Sequence, residues 1–145
     1  MPFVSRSDDG SIVGIFANLQ PGYAEEWVED SDIPVDPVNY AEQISRKRYA
    51  HEIAGAVVTG ISVLTDRDTQ SKLTAAAVRA QRDSTYVVDW KGADGKFVNL
   101  TAPKIILVAD GVDDYVQACY SREAALLSKL ADGTFSQAML DEGWP

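Results

Sequence analysis

Between Thr101 and Gly133 the chain carries one long helical period, and no other feature constrains its fold as much. Ile105, Val108, Val112, Tyr115 or Val116, Cys119, Leu126, Leu127 and Leu130 recur at steps of three and four, the spacing of an amphipathic helix. Pro103 suits the first turn, and Asp132-Gly133 is a stop signal, so a helix is expected from just after Thr101 to about Ala131. Gly111 lies inside it at a cost of about 1 kcal/mol relative to alanine. Thr134 is placed to cap a final short helix before Gly143-Trp144-Pro145.

Upstream the pattern alternates hairpins with helices. Phe3 to Arg6 and Ser11 to Ala17 flank Ser7-Asp8-Asp9-Gly10, whose Asp-Gly pair supplies the positive φ of a tight turn. Asn18 to Gly22 reads as a loop. Glu25 to Glu29 reads as a third short strand with Trp27 packed inward, and Asp30 to Pro37 as a linker. A first helix is expected over Pro37 to Ala54, with Asp36 as N-cap and a ragged apolar stripe of Val38, Ala41, Ile44, Tyr49 and Ile53. Arg46, Lys47 and Arg48 are expected on its surface, and Gly55 ends it.

Ala56 to Leu64 is β-like, with Gly60 making a bend or hairpin. Thr65 or Asp66 caps a second helix to about Arg82, with Leu73, Ala76, Ala77 and Ala80 on its inner side. Tyr86 to Lys91 and Lys96 to Leu100 form a second hairpin around Gly92-Ala93-Asp94-Gly95, with Tyr86, Val88 and Trp90 on one face. The expected class is α+β: short β-hairpins packed with three helices, the long C-terminal one amphipathic. The chain divides into a small N-terminal β module over 1–35 and an α+β domain over 36–145.

Composition narrows the function. Hydrophobic residues make up 46% of the 145, enough for a core. The net charge of −9 disfavours nucleic acid as a partner and suits a basic one. No apolar stretch approaches the roughly 18 residues of a membrane span, and the first residues lack the apolar run of a signal peptide, so no membrane partner is expected. Cys119 is the only cysteine, which removes intrachain disulfides and Cys-cluster metal sites, and its period places it in the core.

Candidate chemistry is thin. Asp66-Arg67-Asp68-Thr69-Gln70 superficially resembles the aspartate-nucleophile loop of haloacid-dehalogenase-type phosphatases, but Gln70 stands where that loop needs threonine. The same residues serve as a helix start, with Asp66 and Asp68 facing the positive end of the dipole. Ser71 replaces the glycine of a calcium loop. His51, the sole histidine, has no second ligand beside it, and no Gly-x-Ser-x-Gly elbow or phosphate-cradling glycine loop is present. No catalytic, metal or cofactor-binding residue is therefore assigned, and the chain is not read as an enzyme. Large aromatic residues remain: Trp144, either docked back or held for a partner, with Phe16 and Trp27 as further candidates for partner contact.

The run Gly60 to Gln70, the alanine-rich helix after it, Trp90-Lys91 with Gly95 to Leu100, and Gln117-Ala118-Cys119 through Glu123 to Leu127 resemble an uncharacterised domain of bacteriophage and prophage tail and tail-fibre-associated proteins. The resemblance covers about residues 40 to 145; Phe3 to Arg6 with Gly10 to Phe16 is similar to a small module that often precedes the domain. It implies a tail or tail-fibre protein as partner and a role as tail-fibre assembly factor or chaperone. A structural tail subunit or adaptor is the alternative, and an acidic host-directed inhibitor a third reading. The implied location is the bacterial host cytoplasm during assembly, or the virion tail, with self-association left open.

Overall fold

The computed structural model describes residues 2–33 and 38–145. The expected Asp36 cap and Pro37 first turn lie outside the described residues. The chain separates into two compact units, Met1–Val38 and Asn39–Pro145.

In the first unit, β1 (Phe3–Arg6) pairs antiparallel with β2 (Ile12–Phe16) on one side and with β3 (Glu26–Trp27) on the other, giving the order β2-β1-β3. The hairpin turns where Asp-Gly was expected to turn it, with Gly10 at φ +88°. Asp9 fixes the turn by accepting from the Ser7 hydroxyl (2.5 Å) and the Ser11 amide (2.9 Å). Those bonds hold its carboxyl down at about 2.

The second unit is built along α3 (Ala102–Asp132). At 1.5 Å per residue this helix is about 46 Å long, so other elements share its length in two groups. Its first half buries Ile105, Val108, Val112 and Val116 against Leu73 and Ala80 of α2 (Arg67–Arg82), Val63 of β5 (Ile61–Val63) and Leu100 of β7 (Phe97–Thr101). The second half buries Leu126 against Ile44 of α1 (Tyr40–Glu52) and Leu140 of the 3-10 turn Gln137–Asp141. Each fully buried aliphatic side chain contributes about 1.5–3 kcal/mol. The α+β class, the three helices and the long last one are as expected; Gly133 closes α3 at φ +80°.

Two hairpins close the first core. β4 (Ala56–Val58) pairs with β5 through Thr59-Gly60, both at positive φ. β6 (Val87–Lys91) pairs with β7 so that Val88 faces Leu100 and Trp90 faces Val98 on the packed side, leaving Val87, Lys91 and Phe97 in solvent. Gly111 is explained by this packing: a Cβ there would meet Val58 Cγ1 at 2.3 Å, so the helix needs a glycine where β4 crosses it.

Several expectations need correction. Trp27 is exposed (44%), not packed inward. Leu127 is exposed although it fits the α3 period. Among the described residues α1 begins at Tyr40, and Asn39 caps it by accepting from the Glu42 amide at 3.0 Å. The last turn is a 3-10 segment preceded by Ser136; Thr134 bonds to Asp132 instead of capping it. Arg48, expected on the surface with Arg46 and Lys47, is buried (8%).

Candidate functional site

Arg48 is buried because it has ionic partners on two helices. It pairs with Glu52 one turn along α1 and, through Nε at 2.9 Å, with Glu123 on α3. Its guanidinium also lies over the Tyr120 ring, 4.4 Å from the centroid. Burial works against the charged arginine, but the bond to Glu123 and the nearby negative groups outweigh it, and the pKa is raised. Glu52 is further held by Gln70 Nε2 of α2 at 3.2 Å, and Gln70 also donates to the Thr65 carbonyl at 2.8 Å. Three helices are thereby tied at one point between the two apolar clusters.

This cluster is built for cohesion. Both carboxylates face the same guanidinium. Among the described residues no group of three His, Cys, Asp or Glu side chains is placed to hold a metal. Asp66 caps α2, accepting from the Thr69 hydroxyl (2.5 Å) and amide (3.2 Å); the hydroxyl bond is the chief reason its carboxyl pKa is lowered. Asp68 pairs with Lys72 at 2.7 Å. Thr65 is fully buried and accepts from the Gly55 amide at 2.9 Å. Cys119 is fully buried, and burial pushes its thiol pKa up, away from nucleophilic use. His51 stacks on Trp144, ring centroids 5.0 Å apart and planes 9° from parallel, while its carbonyl accepts from the Tyr115 hydroxyl.

The three aromatic candidates fall into two places. Trp144 lies on the second unit, half-buried against the Ile44–Leu126–Leu140 cluster, and its indole N–H donates to the Leu140 carbonyl at 2.7 Å. Arg122 closes over the same end, donating to the Glu142 and Met139 carbonyls. Trp144 is thus docked back on its own unit.

Phe16 and Trp27 are brought together on the first unit by a residue that the sequence did not single out. Phe3 on the central strand is in register with Phe16 on one side and with Trp27 on the other. Directly opposed residues share a face, so the three form an aromatic row across the sheet. Tyr23 extends the row, edge-on to Phe16 at 5.6 Å, and is itself exposed. Among the described residues of this unit, Val4, Ala24 and Val28 are the buried hydrophobic ones, and strand alternation puts Val4 on the face opposite the row.

Gly14 is glycine for a local reason: a Cβ would strike Ser5 Oγ (2.7 Å) and the Phe16 ring (2.8 Å), so the ring folds over the Ser5–Gly14 pair. The Ser5 hydroxyl beneath it is buried and finds no hydrogen-bond partner among the described residues. The signal for Phe3 was present in the sequence, since it and Phe16 stand symmetrically about the Asp9-Gly10 turn.

Among the described residues, no helix is long and apolar enough to cross a membrane. No curated protein and no solved structure matches the chain. Residues 37–142 match the family described as Domain of unknown function (DUF4376). That match spans well over half of the sequence, around the long helix, the two hairpins and the buried Arg48 cluster, and the chain belongs to this family.

Proposed function

We propose that this chain acts by contact with another protein, as an assembly factor or chaperone for a bacteriophage or prophage tail fibre. The observation that carries the contact is the aromatic row Phe16–Phe3–Trp27 with Tyr23, laid across one face of a small sheet and left partly in solvent. A unit of 38 residues is at the size where a core alone rarely suffices, and its largest apolar side chains are spent on a surface. The tail context comes from the likeness of residues 40 to 145 to tail-associated domains. The buried ion pairs and capping aspartates supply cohesion to the second unit and leave the proposed role non-enzymatic.

Co-expression with a candidate tail-fibre protein tests this reading. The chain is expected to co-purify with the distal fibre, in the host cytoplasm, and to be missing from purified particles by mass spectrometry. Recovery in particles at fibre stoichiometry would replace the assembly role with that of a virion subunit; failure to bind any fibre segment would remove the tail reading.

A further inference from the structure

The division into units exposes a charge asymmetry that the whole-chain value hides. Met1–Val38 holds eight acidic residues and a single basic one, Arg6, a net charge of −7 out of the chain's −9. The remaining residues, from Asn39 on, carry 14 acidic against 12 basic, a net of −2. Arg6 is already committed to Glu26, with both guanidinium bonds at 2.7–2.8 Å. Glu25 and Glu29 stand two residues to either side of Trp27 in the chain, and both are exposed.

We infer that this aromatic face of the N-terminal sheet is the docking surface for a Lys/Arg-rich segment of a partner protein. Aromatic rings attract cations through their negative faces, an attraction that is larger where the cation is desolvated. The acidic setting adds long-range steering of a basic chain. It also selects against other occupants: a second copy of this face would bring another −7 against it, and phosphate-bearing polymers or anionic lipid would be repelled. The Ser5 hydroxyl beneath the Phe16 ring offers one buried hydrogen-bonding group on the same face. The inference rests on the protein-contact reading above and gives the partner its chemistry.

The test uses the full chain, isotopically labelled, titrated with a short peptide alternating Arg and Leu and with a control peptide in which every Arg is Gln. The basic peptide is expected to shift the Trp27 indole and the amides of Phe3–Phe16, and to bind at least about tenfold tighter than the control. Trp27→Ala should weaken it about tenfold. Glu29→Gln with Asp32→Asn, a surface pair of changes, should weaken it severalfold and flatten its salt dependence. Equal binding of the two peptides, shifts confined to residues 39–145, or a dimer that forms through the sheet and excludes the peptide would each overturn the inference. The two proposals fail separately. Peptide binding without fibre capture removes the tail context alone, and fibre capture undiminished by Trp27→Ala removes this docking face alone.

Discussion

Arg48 is the residue on which the second unit depends most sharply, because three of its surroundings are charged or aromatic and none can be left alone. Removing the cation leaves Glu52, almost wholly buried, and Glu123, mostly buried, without it. Arg48→Met is therefore expected to destabilise the fold by about 3–5 kcal/mol, read as a fall in the urea midpoint at unchanged slope; a loss below about 1 kcal/mol would mean the network is no more than a surface pair. Asp66 gives a pH-dependent counterpart. Its folded carboxyl is depressed chiefly by the Thr69 hydroxyl, so its contribution is present above the ordinary aspartate range and disappears as pH falls through the folded value. Asp66→Ala should lower the melting temperature at neutral pH, and the gap from the parent should close in acid. A gap that persists at low pH would contradict the capping role. Trp144 makes a third case: docked against Leu140 and His51, it is expected to cost stability when changed to alanine, visible in the same denaturation experiment.

Among the elements, the clearest test lies where α3 passes β4. Alanine ordinarily stabilises a helix relative to glycine by about 1 kcal/mol, yet at position 111 the new methyl would sit 2.3 Å from Val58 Cγ1. Gly111→Ala should therefore destabilise by about 1–3 kcal/mol, the usual cost of overpacking; a stabilised variant would show that the strand yields freely. These elements differ in how plainly the sequence announces them. The α3 period, the Asp-Gly turn at Asp9-Gly10 and the Asp66 cap rest on neighbours within a few residues, and each can be read locally. The inner stripe of α1 is Ile44, Arg48 and Glu52, so its buried face is mostly charged and gives no apolar period. The same mixture made Arg48 look like one member of a basic surface run. The aromatic row demands more still: it exists only once two registers are known, one set by a tight turn and the other across the loop from Ala17 to Glu25. Trp27 was visible as a large aromatic, but its exposure depends on lying at an edge of a sheet whose other face holds Val4.

The molecule as a whole joins a well-stapled α+β unit, carrying most of its buried apolar surface along one helix, to a small acidic sheet that displays its aromatic residues. The first provides stability and the second, in this account, provides the contact. Hydrogen exchange on the chain bound to the fibre protein proposed as its partner tests that division most directly. Binding is predicted to slow exchange at Phe3–Phe16 and Glu26–Trp27 while leaving α2 and α3 as they are in the free chain. Protection gained on the helices of the second unit, with β1, β2 and β3 exchanging as before, would contradict it.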